Sequence, residues 1–316
     1  MDGSRASRKS LAIAFVLCAK AYLIALCIAI LVGYATGERH PILIAFVADV
    51  AATLVIYAFA RYFKNASFYD AYWSLAPIAI AVFFLLSAAA CGTCYCRQMI
   101  VISLVAVWGL RLTYNWALGW RGLGHEDWRY AAMRAKHGRR FWLVELVGIE
   151  MMPTIVVFLG CLSLYPAIAF GENLCGGGVE LFIVLPYTGA NPWGALDCVA
   201  ATITAAAILI ETIADEQLRR FAKTAQPGQI MDKGLWKYSR HPNYLGEVAF
   251  WWGLYLFALA AKPSYWWMVV GPIIITALFL FVSVPMMDRR NLERRPGYAE
   301  RMKKVSAIIP WSPKKS

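Results

Sequence analysis

LAIAFVLCAKAYLIALCIAILVGY, residues 11–34, holds a single charge, Lys20, in twenty-four positions. A hydrocarbon core of about 30 Å is crossed by about 20 apolar residues of helix, so this run predicts a transmembrane span. It is too long for a signal peptide, and no small-residue cleavage pattern precedes the loop Gly37-Glu38-Arg39-His40. Seven further runs of this kind lie near 42–60, 73–91, 98–118, 142–168, 194–214, 245–261 and 264–286. Together they predict an all-α fold, a polytopic membrane helix bundle of about eight transmembrane helices. Composition agrees, with 60% hydrophobic and 16% charged residues, where a soluble chain carries about 25% charge.

The formal net charge of +12 would suggest a polyanion partner in a soluble protein. Here the basic residues fall between the apolar runs, which points to membrane orientation and lipid contact and argues against nucleic acid. With the N-terminus inside and eight alternating spans, the inner segments hold 26 Lys and Arg and the outer ones three, Arg39, Arg97 and Lys262. Lys20 and Arg111 fall within spans. Both termini are therefore expected on the cytoplasmic side.

Four of the eight cysteines, Cys91, Cys94, Cys96 and Cys175, fall on the outer side of this topology. Cys-x-x-Cys-x-Cys lacks a second half of matching spacing and has no nearby histidine, so no metal site is expected. An oxidising outer face would favour a disulfide from Cys175 to one of the other three; a reducing setting would leave four thiols.

Ionisable groups inside spans are costly, and they mark candidate functional positions or interhelical pairs. Asp49, Arg111, Glu145, Glu150, Glu211 and Glu247 qualify, with Asp70 at the mouth of the third span. The inner loops also carry His125, Asp127, Arg129, Tyr130, Arg134, Asp215, Arg219, Arg289 and Arg290, so a polar ligand is expected from that side. The most informative stretch is 234–247, GLWKYSRHPNYLGE. Pro242 suits the first position of a helix, so the amides that follow and the cations Arg240 and His241 would converge on an anion. Asn243, Tyr244 and Glu247 share one face of that helix. An amide, a phenol and a carboxylate beneath an anion seat match a nicotinamide mononucleotide, whose ring bears a carboxamide.

R-H-P-N-Y-x-G-E after G-L-W, the preceding D-x-x-L-R (Asp215, Leu218, Arg219) and the closing R-P-G-Y and I-I-P-W (Arg295 to Tyr298, Ile308 to Trp311) resemble the steroid 5-alpha-reductase superfamily. W-G-L-R-L (Trp108 to Leu112) and E-D-W-R-Y-x-x-M-R (Glu126 to Arg134) are similar to its bacterial, poorly characterised branch. The resemblance covers about residues 65–313. The resemblance implies that residues 1–64 are a two-helix N-terminal extension, ahead of a reductase-like catalytic domain over 65–316. R-H-P-x-Y-x-G alone is shared with isoprenylcysteine carboxyl methyltransferases.

The resemblance implies an NADPH-dependent reduction of a carbon–carbon double bond conjugated to a carbonyl, in a lipophilic substrate of steroid-like or isoprenoid kind. Asn243 and Glu247 match the family's asparagine and glutamate near the nicotinamide, Asp215 its aspartate near the adenosine, and Arg111 an arginine facing the cofactor. The implied cofactor set is Arg111, Arg129, Tyr130, Arg134, Asp215, Arg219, Arg240, His241, Asn243, Tyr244, Glu247, Arg290 and Tyr298. The family polarises the substrate carbonyl with a glutamate and a tyrosine. Here the nearest carboxylate is Asp70, and Trp108 stands at the tyrosine's position, which leaves Tyr114 or Tyr72 to supply the phenol. The family's Tyr-Arg pair upstream of Gly234 appears as Gly228-Gln229. A methyltransferase using S-adenosylmethionine and a non-enzymatic lipid-binding or transport protein are the alternatives; the former does not call for Asn243 with Glu247, and the latter lacks paired half-length repeats.

Overall fold

The computed structural model describes residues 2–37, 39–88, 94–169 and 191–313, with side chains from residue 10 onward. Eight helices are long and apolar enough to cross a membrane, and the one β pairing among the described residues is an isolated bridge, Ser239 to Ser306. The chain is an integral, multi-pass membrane protein. Its first four spans are α1 (Asp2–Ala35), α2 (Pro41–Phe63), α3 (Tyr72–Ser87) and α4 (Tyr95–Gly119). The fifth joins α5 (Trp128–His137), α6 (Phe141–Val144), a π-helical turn (Glu145–Met151) and α7 (Met152–Cys161), and α8 (Leu164–Ala169) follows. α9 (Ala195–Thr224) and α10 (Pro242–Ala261) are the sixth and seventh. α11 (Val270–Leu278), a second π turn (Phe279–Ser283) and α12 (Val284–Arg294) form the eighth, before the short α13 (Tyr298–Lys304). Of the bridge expected from Cys175 to Cys91, Cys94 or Cys96, Cys175 and Cys91 lie outside the described residues, and Cys94 and Cys96 are free thiols.

Two segments differ from the hydropathy reading. Residues 128–137, placed in a loop, are helical and run into the fifth span. Asp127 caps them by accepting from the Arg129 amide at 2.8 Å, and Gly138 at φ +50° makes the turn onward, a conformation that suits glycine. Charge density hid this helix, because a surface helix carries its polar face in full. Arg97, assigned to a loop, is fully buried: its guanidinium grips Asp197 at 2.6 and 2.8 Å and reaches the Asn191 and Pro192 carbonyls.

The side-chain contacts sort the loops into two ends. Asn65 donates to the Leu123 and His125 carbonyls, Arg290 lies 3.5 Å over Trp128, and Arg240 pairs with Asp288, so the segments rich in Lys and Arg meet at one basic end. Arg97, Asp197, Asn191 and the Ala260 and Ala261 carbonyls meet at the other.

Small residues let the spans approach closely, as helices in lipid require. α1 buries Ala14, Cys18, Ala21 and Ala25 against Ala52, Ile56 and Ala60 of α2, and turns Ile13, Leu23, Ile30 and Leu31 outward to lipid. α9 and α10 pack closest where Gly253 meets Thr204 and Gly246 meets Glu211; a Cβ at 246 would lie 2.7 Å from the Ala207 carbonyl oxygen and from Glu211 Cβ. That contact positions the site, since it brings Glu211 beside Glu247.

Candidate functional site

A polar seam runs between α4, α9 and α10. From α4, Arg111 forms ion pairs with Glu211 (2.6 Å) and Asp215 (2.8 Å), and Asn115 Nδ2 donates to Asp215 at 2.9 Å. One helical turn before Arg111, the buried Trp108 indole donates to Glu247 Oε2 at 3.0 Å, while the Trp251 indole donates to Glu247 Oε1 at 2.9 Å. Trp108 itself stacks on Phe250 at 4.6 Å. Glu247 also lies against Glu211, and Asn243 beside Asp215. Two buried acceptors in the seam, Glu211 Oε2 and Asn243 Oδ1, take no hydrogen bond from the protein. Arg111 Nε and Nη2 are likewise buried without a hydrogen-bond partner, and buried polar atoms are nearly always paired, so the four mark a place suited to a polar group from outside the chain.

A second cluster centres on Asp70. The Tyr130 phenol donates to Asp70 Oδ1 at 2.7 Å, and Arg129 is within electrostatic reach of the same carboxylate while bonded to Asp127 at 2.8 Å. Glu126 accepts from the Ala66 amide (2.9 Å) and from Arg134 (2.7 Å), and Arg134 covers the Phe141 ring at 4.1 Å. These bonds explain the E-D-W-R-Y-x-x-M-R pattern: it ties α5 to the turn that carries Asp70.

The third cluster is the turn before α10. Arg240 and His241 do converge on an anion, and that anion is Asp288 of α12. Arg240 Nη2 meets Asp288 Oδ2 at 2.8 Å, and His241 Nε2 lies 3.0 Å from Oδ1. The Tyr298 phenol donates to the same oxygen at 2.6 Å. Burial and this bond to a carboxylate raise the Tyr298 phenol above its ordinary range, so it stays a donor. Arg240 also donates to the Val305 carbonyl at 2.7 Å, which fastens the C-terminal segment to the turn. Tyr244 stacks on His241 at 5.1 Å and lies within electrostatic reach of Arg129, Asp215 and Asp288, so it stands among the three clusters.

Of the residues singled out from sequence, Arg111, Asp215, Asn243 and Glu247 come together in the seam. Asp70, Arg129, Tyr130 and Arg134 gather in the second cluster, and Arg240, His241 and Tyr298 in the third. Tyr114 does not join Asp70: it is 60% exposed on the outer surface of α4, near Arg219, which pairs with Glu216. Tyr72 donates to Asp49 at 2.7 Å. The phenol that meets Asp70 is that of Tyr130. Arg290 stacks on Trp128 at the same end. Sequence reasoning did not place Asn115, Trp251 or Asp288 in the site, nor set Glu211 in the cofactor set. Glu211 and Asp215 are four apart on one face of α9, a spacing that could have linked them.

A family described as "Protein of unknown function (DUF1295)" matches residues 56–305, a stretch that contains all three clusters and leaves out α1 and the first part of α2. The chain belongs to this family. The family is steroid 5-alpha-reductase-like in general terms, which accords with the motifs around Asn243 and Tyr130. An uncharacterized protein of Schizosaccharomyces pombe is similar to this chain, 24% identical over 297 residues that cover 86% of this chain and 80% of that protein. No solved structure matches.

Proposed function

We propose that the protein binds NADPH from its basic, cytoplasmic end and reduces a carbon–carbon double bond conjugated to a carbonyl in a lipophilic substrate. The observation that carries this reading is the pair of unsatisfied buried acceptors, Asn243 Oδ1 and Glu211 Oε2, in the seam. A carboxamide NH2 offers two N–H groups, and two oxygens held by α9 and α10 suit it. When bound, NADPH supplies hydride, and the protein's task is to orient, shield and stabilise.

Each part of the site has a role in this reading. Arg111 offsets the charge of Glu211 and Asp215, which would otherwise repel one another in an apolar interior. The indoles of Trp108 and Trp251 hold Glu247 in place and exclude water around it. Asp288 fixes Arg240 and His241, so they shape the turn, while Arg129 and Arg290 supply positive charge for phosphate at the same end. Asp70, when protonated, would donate to the substrate carbonyl while it accepts the hydrogen bond of the Tyr130 phenol. A hydrogen bond to that oxygen strengthens as negative charge develops on it, which lowers the barrier more than it tightens substrate binding.

NADPH titrated into the detergent-solubilised protein should show enhanced fluorescence, and Asn243→Leu should weaken binding about tenfold or more. That follows from leaving an amide N–H unpaired, worth about 1–3 kcal/mol, where 1.4 kcal/mol is a factor of ten. No NADPH binding at millimolar concentration, with tight binding of S-adenosylmethionine, would favour methyl transfer instead. Asp70→Asn separates binding from chemistry: single-turnover hydride transfer should slow while NADPH affinity stays within twofold, the behaviour of a group that acts mainly in the transition state. Equal loss of NADPH affinity in this variant would place Asp70 in the cofactor site.

A further inference from the structure

Glu145 and Glu150 take no part in the reading above. Both are fully buried in the fifth span, in the π turn between α6 and α7. In an α-helix, residues five apart point about 140° away from each other. The i→i+5 bonding of a π turn brings such residues round to one side. Contacts agree: Glu145 Oε2 accepts from Arg61 of α2 at 3.0 Å, and Thr154, one turn beyond Glu150, bonds Thr53 of α2 at 2.9 Å and Tyr69 at 2.8 Å. Glu145, Glu150 and Arg61 are all within electrostatic reach of Tyr57, also on α2.

The balance of donors and charge around these two carboxyls is unequal. Glu145 Oε1 and both oxygens of Glu150 are buried and accept no hydrogen bond. Among the hydroxyls nearby, those of Thr53, Thr154 and Tyr69 share two hydrogen bonds, and that of Tyr57 donates to the Trp142 carbonyl. Arg61 offsets one of the two carboxylates. Three carboxyl oxygens thus lack a donor and one carboxylate lacks a counter-charge, against one spare hydroxyl hydrogen. A proton on Glu150 gives one donor, and a bound water gives two. A primary ammonium gives three donors and one charge. Arg61 is 42% exposed at the basic end, and the exposed Leu54 and Val147 on the two helices offer apolar surface to a chain.

We propose that Glu145 and Glu150, between α2 and the π turn, bind the primary ammonium head of an amphipathic amine, with Glu150 as its principal acceptor. This site is separate from the seam and does not depend on the reductase reading. The test is a competition assay on the full chain in detergent, with tritiated decylamine as the probe. Unlabelled decylamine should displace the label. Decanol, which lacks the charge, and decyltrimethylammonium, which lacks the N–H donors, should each compete at least tenfold more weakly. Glu150→Gln should reduce specific binding at least tenfold, and Glu145→Gln should weaken it in the same direction. Specific binding that Glu150→Gln leaves unchanged, equal competition by decyltrimethylammonium, or no displaceable decylamine at all would each overturn the proposal. Should Glu150→Gln prevent folding, the ligand series on the parent protein decides the question alone.

Discussion

Arg111→Met is expected to lower the unfolding free energy by about 3–5 kcal/mol, the usual cost of removing one partner from a buried ion pair. Arg111 is the cation between Glu211 and Asp215, with side chains only 10%, 6% and 24% exposed, and Glu247 lies against Glu211. Its loss leaves three carboxyl groups around a space with no cation. Unfolding in detergent, followed by tryptophan fluorescence, measures the effect. The double variant Arg111→Met/Glu211→Gln should recover part of the loss, with a coupling of about 0.5–3 kcal/mol, because the two residues share one interaction. NADPH binding should fall in the single variant. A variant as stable as its parent would mean that water reaches the seam and screens these charges.

Asp288→Asn is expected to cost about 3 kcal/mol or more, since it leaves the buried Arg240 without its counter-charge. The effect should also be local. Asp288 takes bonds from Arg240, His241 and Tyr298, and Arg240 in turn holds the Val305 carbonyl. Hydrogen exchange should therefore rise over residues 298–311 and in the turn before α10, while α4 stays protected. Uniform exchange across all spans would show that this corner opens only with the whole bundle.

Hydropathy was enough for the spans because each must satisfy its backbone internally and present apolar side chains to lipid. It was not enough for the pairing. Arg97 with Asp197 and Arg111 with Glu211 are each a hundred residues apart, and local pattern carries no term for such contacts. The same limit applies to Tyr130, whose place in a basic segment suggested a cofactor contact rather than a bond to Asp70. Asp288 was overlooked because it opens the run Asp288-Arg289-Arg290, where an acid among cations looks like surface charge. The motif 234–247 was legible in kind: it does gather two cations at a helix start, and the partner proved to be a side chain from another span. Trp108, a departure from the family's tyrosine, gains its meaning only from the Glu247 oxygen it meets.

The hundred-residue spacing also has a consequence in time. At about 5–20 residues per second of synthesis, Arg97 and Arg111 are incorporated about 5–20 s before Asp197 and Glu211. For that interval α4 carries two guanidinium groups with no counter-charge from their eventual helix. Arg97, near a helix end, can extend toward headgroup phosphates and water. Arg111, deeper in the helix, meets its partners Glu211 and Asp215 only when α9 arrives. The delivery of α9 by translation therefore sets the earliest moment at which the seam can close.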